Sequence, residues 1–474
     1  MAAVGPVSDD GPSSSMRTAS RVREILDAGL DSVSARACVE RALDEAATRE
    51  WLAEVGGRPL DLIAVGKAST PMTHEFLAHD DRPSVSRTLV VSPVDAASGP
   101  GLDHREASLE HFVSEHPLPG PGGERAAAVV EEWAADGAGR DLVFLLSGGA
   151  SSLLPAPAAG FTLAEKVAWS DRLMRAGADI HQLNTVRRQM SRFKGGRLAA
   201  CSRYERVLVL VISDVVGDDL AVVGSGPWHR VGSSTSASQE AALIVRRLLG
   251  EDAGELAVRL ARSPDPPPSD SPCFARIQHV ICGSGATALD AMQRAATEGL
   301  EGVNIESWGA GVVGEAREVA CRLVRSAVDA IRREEPRRGS RFASSMEPST
   351  SWFGLGAGET TVTVRGDGLG GRNQELALAF ALEWERLVTA EDMRRFTFAS
   401  LGSDGRDGPT PAAGAMVDHF TLGRMRAAGL DPAVALDRND SYHALHAVGA
   451  TIVTGPTGTN VGDLMVCGVE SSRD

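Results

Sequence analysis

The stretch DLVFLLSGGASS, residues 141–152, decides the fold of this chain. Leu142–Leu146 is an unbroken apolar run, which is typical of a strand that is buried on both faces of a parallel sheet. The run stops abruptly at a serine and two glycines. In open α/β sheets, ligands bind just beyond the carboxyl ends of such strands, where glycines let backbone N–H groups approach an oxyanion. An ordinary strand-to-loop turn would use the same residue types. The candidate donors are Ser147, Gly148, Gly149, Ser151 and Ser152.

The same pattern, an apolar strand that runs directly into a polar or glycine-containing loop, recurs along the chain, and it predicts an α/β fold. Leu62–Gly66 runs directly into Lys67, Val207–Ile212 ends at Ser213-Asp214, and Phe396–Leu401 ends at Gly402-Ser403-Asp404. Lys67 does not belong to a P-loop, because Asp61 stands where that motif needs its first glycine. The alternation of buried strands, polar loops and helices predicts Rossmann-like domains with mostly parallel sheets.

A length of 474 residues indicates two or more domains. The clearest linker candidate is the proline-rich stretch 263–272. After it, the succession of strand, glycine-containing loop and helix begins again at His279. We therefore predict a disordered tail over 1–16, a first domain over 17–262, the linker over 263–272 and a second domain over 273–474. The stretch GPTGTN near the C-terminus is compatible with a return of the chain to the first domain.

The composition excludes several classes of function. A net charge of −15 argues against a nucleic-acid surface, although a local basic cluster can still attract an anionic substrate. The six scattered cysteines form no CxxC pair, so neither a zinc site nor a disulfide framework is indicated, and a reducing cytoplasm fits best. No apolar run approaches the roughly 18 residues that a membrane span requires.

Two further segments favour anion binding. Asn184–Leu198 is the densest basic run of this acidic chain, and it contains Arg188 and Lys194. A solvated helix face is the alternative interpretation. The loop Gly366–Glu375 formally satisfies GxGxxG, but the strand before it alternates, whereas the dinucleotide fingerprint follows a buried first strand. Its glycines can still bring a helix N-terminus to an anion, and Arg372 there offers a forked donor set.

Carboxylates at predicted strand ends are the remaining candidate functional residues. Asp214 and Asp404 each follow a predicted strand, and Mg²⁺ prefers oxygen ligands of this kind. No GxSxG elbow and no HExxH motif occurs, so acyl transfer and zinc proteolysis are not indicated. Phosphoryl transfer requires positioning and charge neutralisation by cations, backbone N–H groups and a carboxylate-held Mg²⁺. The pattern alone therefore predicts a phosphate-handling α/β enzyme.

The chain also resembles a known family, the type 2 glycerate kinases, whose C-terminal part is called the MOFRL domain. The matching stretches span nearly the whole chain in the family's order. They are VGKAS (65–69), EHPLP (115–119), SGGASSLLPAP (147–157), LNTVRRQMSRFKGGRLA (183–199), ISDVVGDDL (212–220), GSGP (224–227), GGRNQELAL (370–378), GSDGRDGPTPAAGA (402–415), NDSYH (439–443) and GPTGTNVGDL (455–464).

The resemblance implies ATP- and Mg²⁺-dependent phosphorylation of D-glycerate at its 2-hydroxyl, in a cleft between two α/β domains. It implies that Lys67 and Arg372 are the catalytic pair. Pattern and resemblance together make Asp214 and Asp404 the metal candidates. Beside the five donors of the 147–152 loop, pattern and resemblance give a second set of residues that are candidates for binding substrate or phosphate. These are Arg188, Lys194, Gly370, Gly371, Asn373 and Asp440.

The chain departs from the family pattern at a few positions. Ala150 replaces a third glycine, Ser403 replaces a threonine, and Trp228-His229-Arg230 replaces the usual continuation after Pro227, which puts ligand contacts from that loop in doubt. The alternatives are a hydroxypyruvate reductase that uses NAD(P)H and a catalytically inactive sensor. The expected partners are a small acid and a nucleotide, with no nucleic acid or membrane, and the expected assembly is a monomer or a homodimer.

Overall fold

The computed structural model describes residues 14–80, 82–94, 108–232, 236–298, 303–334, 352–388 and 395–470. These residues form two compact units. The parallel-sheet unit contains Val33–Ser284 and Gly458–Val461. The mixed-sheet unit contains the described residues up to Ser32, Gly285–Thr457 and those from Gly462 onward.

The parallel-sheet unit is built on six strands in the order β3-β2-β1-β4-β5-β6, and every neighbouring pair is parallel. This is the order of the doubly wound nucleotide-binding fold. The strands are β1 (Leu60–Val65), β2 (Val85–Pro93), β3 (Leu109–Ser114), β4 (Asp141–Leu146), β5 (Arg206–Ile212) and β6 (Ile277–Gly283).

Ten helices of this unit connect or flank the described strands. They are α2 (Ala35–Asp44), α3 (Ala46–Ala53), α4 (Ser69–Ala78), α5 (Pro121–Ala135), α6 (Ala150–Leu153), α7 (Leu163–Arg175), α8 (Ile180–Gln189), α9 (Arg197–Cys201), α10 (Ala237–Leu249) and α11 (Gly254–Ala261). Thr162 caps α7 in the capping box that its spacing to Glu165 predicts.

The centre of the sheet sets the position of the site. All residues of β1 and β4 are buried, as expected for strands that are covered on both faces. The two strands pair in register from Leu60↔Asp141 to Val65↔Leu146, so they end side by side. The strand order reverses between them, and ligands in open α/β sheets bind outside the carboxyl ends of strands at such a reversal.

The amino ends of the same strands carry structural ion pairs. Asp61 of β1 is fully buried and accepts hydrogen bonds from Arg87 Nε at 3.1 Å, Arg140 Nε at 2.9 Å and the Tyr204 hydroxyl at 2.9 Å. Burial alone would raise the pKa of Asp61, but these hydrogen bonds outweigh it and lower that pKa. A buried charge of this kind persists only when it is paired.

Replacing Asp61 by asparagine should therefore lower the free energy of unfolding by about 3 kcal/mol, because two part-buried arginines would lose their carboxylate. Urea denaturation followed by tryptophan fluorescence measures this loss. Asp136→Asn is the matched control, since Asp136 is an exposed partner of the same Arg87 and should matter little. Equal losses in the two variants would contradict the assigned role of Asp61.

The mixed-sheet unit also has a six-stranded sheet, in the order β11-β10-β9-β12-β8-β7. Only the pair β7–β8 is parallel, and the other described pairs are antiparallel. The strands are β7 (Asn304–Glu315), β8 (Trp352–Thr361), β9 (Arg395–Gly402), β10 (Gly414–Asp418), β11 (Thr451–Ile452) and β12 (Asp463–Glu470).

Its helices pack on this sheet around an aromatic core in which the ring of Phe380 stacks on Phe398 with centroids 4.0 Å apart. The described helices are α1 (Ser14–Ser32), α12 (Gly285–Thr297), α13 (Ala316–Glu334), α14 (Arg372–Leu387), α15 (Thr421–Ala427), α16 (Pro432–Asp437) and α17 (Ser441–His446). Within the described part of the chain, no helix combines the length and apolarity that crossing a membrane requires.

The predicted α/β class is confirmed, and the prediction of a parallel sheet is correct for the first unit. It is wrong for the second unit, whose sheet is mostly antiparallel. An apolar run shows that a strand is buried, but its direction depends on which strands become neighbours in space.

The structure also places the division of the chain elsewhere than predicted. The strand around His279 is β6, which pairs with β5, so the parallel-sheet unit ends at Ser284 and not before residue 263. The predicted linker packs on its own unit, where Arg197 Nη2 donates to Pro264 O. α1 belongs to the mixed-sheet unit and begins at Ser14, and residues 1–13 of the predicted tail lie outside the described residues.

Candidate active site

The loops that follow β1 and β4 are joined to each other at the reversal of strand order. Gly66 has φ +134°, and a Cβ at this position would lie 2.6 Å from Ser147 O. Only glycine therefore allows this approach. Lys67 N donates to Gly148 O at 2.9 Å, and Ala68 N donates to Ser147 Oγ at 3.0 Å. These bonds hold the backbone of Lys67 against the glycine turn.

The glycine turn offers backbone donors to a ligand. Among the described residues, none accepts a hydrogen bond from the amide of Gly148 or Gly149. Gly149 has φ +84°, and successive N–H groups around a left-handed residue form an anion-binding concavity. The Cγ of Lys67 lies 3.4 Å, and His116 Nε2 3.0 Å, from the point where a Cβ on Gly149 would stand. The turn is therefore flanked by a lysine and a histidine.

Asp214 lies over the same turn. A Cβ on Gly148 would lie 2.7 Å from Asp214 Cγ and 2.6 Å from Asn460 Nδ2, so the turn, the carboxylate and the amide are in close contact. Asn460 Nδ2 donates to Asp214 Oδ2 at 3.0 Å. Sequence reasoning missed Asn460, although it lies in the recognised stretch 455–464.

Asp214 can hold a magnesium ion only if a bound ligand and waters supply further oxygen atoms to the ion. The described residues contain no group of three histidine, cysteine or acidic side chains that could hold a metal. Mg²⁺ bound with a nucleotide usually takes one or two carboxylates, several waters and phosphate oxygens, so Asp214 beside an anion-binding turn suits it. Asp404 lies in the other unit, where its Oδ1 accepts from Arg406 N at 3.0 Å in a turn.

Lys194 lies on the other side of the turn, and it is only 5% exposed. Its Nζ donates to Ser151 Oγ at 2.8 Å and to Ser225 Oγ at 2.9 Å. Ser225 has φ +67°, a strained conformation for a residue other than glycine, and this conformation accompanies its bond to Lys194. Burial lowers the pKa of the Lys194 ammonium well below its usual value, and neighbouring cations lower it further.

The other predicted residues of this unit have more local roles. Ser147 is fully buried and its hydroxyl accepts from Ala68 N, so it joins the two loops. Ser152 Oγ donates to Gly149 O within the turn. Arg188 Nε donates to Asn184 O in its own helix, and this residue lines a cavity of about 360 Å³ together with Asp265. Arg188 therefore lines that cavity, and it also acts electrostatically on Lys194.

The departure after Pro227 is explained by packing. Trp228 is 1% exposed, and its ring meets that of Phe144 edge-on with centroids 5.5 Å apart. The side chain therefore completes the core beneath β4. His229 packs against His279 of β6.

In the mixed-sheet unit, two carboxylates hold Arg372 at the first position of α14. Its Nε donates to both oxygens of the buried Asp463, at 3.0 and 2.8 Å, and its Nη1 lies 3.1 Å from Glu359 Oε1. Burial would lower the pKa of Arg372, but these carboxylates outweigh it and raise that pKa. Nη2 donates to no residue that the structure describes, so this edge of the guanidinium remains available to a ligand.

The predicted anion site at the start of α14 is not supported, because Asp407 occupies it. The Asp407 carboxylate accepts from Asn373 N at 3.0 Å and from Gln374 N at 2.8 Å. Burial raises the pKa of Asp407 to about 6, although these amides oppose the rise. Asn373 is fully buried, and its side chain bonds to Asp463 and Ser400. The side chain of Asn373 thus holds the start of α14 to its own unit, and its role in binding stays a prediction.

Gly370, Gly371 and Asp440 also serve the loop itself. Gly370 packs against Ser441, and Gly371 packs against Asp407. Asp440 Oδ1 accepts from Leu369 N at 3.0 Å and contacts His443 Nδ1 at 2.6 Å. Burial would raise the pKa of Asp440, but these two partners outweigh burial and lower that pKa. The structure thus shows these three residues shaping the loop that leads to Arg372.

Sequence reasoning missed Asp463, Asp407 and Lys166. Asp463 begins β12 and holds Arg372, yet nothing in the local pattern marks it as different from other aspartates. Lys166 is 5% exposed on α7, and its Nζ has no hydrogen-bond partner among the described residues. A compositional signal marks it, since it is one of only three lysines in the chain.

Comparisons with known proteins match two families to different parts of the chain. A family described as a domain of unknown function, DUF4147, matches residues 21–259, and the MOFRL family matches residues 353–463. The first match covers the glycine turn, Lys67, Asp214 and Lys194. The second covers Arg372, Asp407 and Asp463.

Individual relatives match over most of the chain. A D-glycerate 2-kinase of Thermotoga maritima is 36% identical over 90% of this chain and 95% of its own length. A putative hydroxypyruvate reductase of Agrobacterium vitis is 37% identical over 74% of this chain and 86% of its own length. The crystal structure of a glycerate kinase from Thermotoga maritima superposes with a TM-score of 0.75, at 31% identity, over 94% of this chain and 98% of that one. The predicted resemblance is confirmed, and the chain belongs to the glycerate 2-kinase family of enzymes, which combines the DUF4147 and MOFRL domains.

Proposed function

We propose that this protein transfers the γ-phosphoryl group of ATP to the 2-hydroxyl of D-glycerate and so forms 2-phosphoglycerate. The observation that carries the proposal is the arrangement at the reversal of strand order. Two unpaired glycine amides, the backbone-anchored Lys67 and the carboxylate of Asp214 lie at one edge of a doubly wound sheet. Phosphoryl transfer requires this combination of backbone N–H donors, a cation and a carboxylate oxygen that can bind a metal.

Each residue has a distinct task in this proposal. The amides of Gly148 and Gly149 bind phosphoryl oxygens, and Lys67 neutralises the charge that grows on the transferring group. Arg372 supplies a second cation through Nη2, while Asp463 and Glu359 hold its other edge. Asp214 would hold Mg²⁺, which supplies charge neutralisation at the phosphate oxygens when bound. Asp404 remains a second candidate ligand for the metal.

The reductase alternative is less well supported by the geometry. The strand order is that of dinucleotide-binding folds, but the loop after β1 reads GKAS and lacks the glycine fingerprint of those folds. The formal GxGxxG at Gly366–Gly371 lies in the mixed-sheet unit. There Asp407 takes the helix amides that a pyrophosphate would need.

The remaining expectations concern the surroundings of the protein. All six cysteines are free thiols, and this supports the proposed location in a reducing cytoplasm. The proposed partners are D-glycerate and a nucleotide.

The deciding assay supplies the purified protein with D-glycerate and MgATP, and it identifies the product by ³¹P NMR. We expect 2-phosphoglycerate, and we expect excess chelator to abolish the reaction until Mg²⁺ is restored. Formation of 3-phosphoglycerate would correct the position of attack, and activity in chelator would remove the metal. Oxidation of NAD(P)H with hydroxypyruvate, in the absence of ATP, would favour the reductase instead.

A further inference from the structure

The parallel-sheet unit contains a cluster of three cations behind the glycine turn. Lys194 Nζ donates to the hydroxyls of Ser151 and Ser225. Arg187 Nε donates to Ser170 Oγ at 3.2 Å, and this hydroxyl donates to Lys166 O one turn earlier on α7. Lys166 and Arg187, like Arg188, act electrostatically on Lys194. We call Lys166, Arg187 and Lys194 the cation cluster.

The cation cluster has no counter-ion inside the described part of the chain. None of its three members forms an ion pair there, and the charges acting most strongly on Lys166 and Lys194 are other cations. The Lys166 ammonium also has no hydrogen-bond partner in that part of the chain, although the residue is only 5% exposed. Burial and the neighbouring arginines lower the pKa of Lys166 to about 8. A buried charge without a partner is costly, so the cluster needs an anion.

The use of lysine in this chain points to the same place. Of 48 basic residues, 45 are arginines, and the only lysines are Lys67, Lys166 and Lys194. Two of them contact the glycine turn, and the third acts electrostatically on one of these two. Lys67 is bonded to Gly148 and packs near Gly149, Lys194 is bonded to Ser151, and Lys166 is the cationic neighbour of Lys194. An ammonium is a compact charge with three rotatable donors, whereas a guanidinium is a wide planar fork. Lysine therefore occurs where a small group must converge on a small anion.

We propose that the cation cluster binds the carboxylate of the hydroxy-acid substrate, with Lys166 as a ligand that donates to it directly. This inference rests on the proposed function and adds the residues that recognise the acid. Lys194 would donate its third N–H to the same carboxylate. Arg187 would add positive charge without contacting the carboxylate.

A carboxylate fits this location better than the phosphates of the nucleotide do. Lys166 and Lys194 are almost completely buried, so they present little surface to a ligand, and this favours a single small oxyanion over a triphosphate with its metal and waters. In a 2-hydroxy acid the reacting hydroxyl is on the carbon next to the carboxylate. A carboxylate held at Lys194, which is bonded to Ser151, would place that hydroxyl beside Gly148 and Gly149, where the phosphoryl group is expected.

The kinetic test is Lys166→Met, which removes the ammonium and keeps the length of the side chain. We expect the KM for D-glycerate to rise about tenfold or more, because one charged hydrogen bond is lost. The KM for MgATP should stay within about threefold of the wild-type value. Arg175→Met is the matched control, since this residue is an exposed cation on the same helix and should change neither constant. An unchanged KM for D-glycerate, or a rise in the KM for MgATP instead, would overturn the proposal.

A binding test separates this proposal from the proposed function. Thermal melting without nucleotide should show that D-glycerate stabilises the wild-type protein, that glycerol of the same concentration does not, and that Lys166→Met loses the response. The ligand-free variant should melt at the wild-type temperature or above it, because an unpaired buried charge is gone. A lower melting temperature of ligand-free Lys166→Met would show that the protein itself stabilises the positive charge of Lys166, and it would contradict the proposal.

The two failures can be distinguished. If the wild-type protein does not phosphorylate D-glycerate, the proposed function fails, and the melting test is then repeated with glycolate and lactate as further 2-hydroxy acids. Stabilisation that depends on Lys166 would still support the carboxylate site. If none of the three acids stabilises the wild-type protein, the carboxylate site is rejected.

Discussion

Replacing Lys67 by methionine should lower the turnover number for D-glycerate by about 10³-fold or more, which corresponds to roughly 4 kcal/mol of lost transition-state stabilisation. The backbone of Lys67 is anchored to Gly148, and its Cγ lies 3.4 Å from the point where a Cβ on Gly149 would stand. We therefore expect the ammonium to act where charge develops on the transferring phosphoryl group. Interactions that strengthen in the transition state lower turnover more than they raise KM when they are removed.

The measurement is steady-state kinetics with both substrates varied. The KM for MgATP should rise far less than the turnover falls, and thermal melting should show an intact fold, because the backbone bonds of Lys67 do not involve its ammonium. Arg175→Met again controls for the loss of one positive charge from the same unit. A folded Lys67→Met protein that keeps more than about a tenth of wild-type turnover would remove Lys67 from the catalytic role.

Replacing Arg372 by lysine should also lower turnover by roughly 10³-fold, even though the positive charge is kept. The guanidinium uses Nε for Asp463 and Nη1 for Glu359, and it has Nη2 left for a ligand. A lysine has a single nitrogen, which the buried carboxylate of Asp463 would retain. The planar fork that serves two carboxylates and a phosphoryl group at once is lost.

Stability should change little in this variant, because Asp463 keeps a cationic partner as well as its hydrogen bonds from Asn373 and Thr360. Arg386→Lys is the matched control, since Arg386 lies on the same helix α14 and pairs with Glu383 near the surface. Turnover of Arg372→Lys within about tenfold of that control would show that only the charge of Arg372 matters, or that the residue is not used.

Several parts of the site could be predicted from local sequence because the physics there is local. A strand that is buried on both faces is mostly apolar, so β1, β4 and β5 were recognisable together with the loops that follow them. The carboxyl ends of parallel strands lie at one edge, and this brought Lys67, Gly148 and Asp214 into one hypothesis. The structure places these three residues together in the parallel-sheet unit.

The errors occurred where a residue's role depends on its neighbours in space. The strand near His279 was assigned to the wrong unit, because only its pairing with β5 shows where it belongs. The surroundings of the glycine loop before Arg372 were also not foreseen, because Asp407, more than 30 residues later in the sequence, accepts from the first amides of α14. A helix N-terminus needs an acceptor, and the sequence does not reveal whether the protein or a ligand supplies it.

By itself, the sequence determined the α/β class, the apolar strands and the identity of the loop that can approach an anion, because burial and backbone freedom are properties of the residues themselves. The tertiary structure alone decided the strand directions of the second sheet, the boundary after Ser284 and the hold of Asp463 on Arg372. It also decided that Lys166 is buried with no hydrogen-bond partner among the described residues. Each of these depends on contacts between residues that are distant in the chain, and the free energy of a charge depends on what surrounds it after folding.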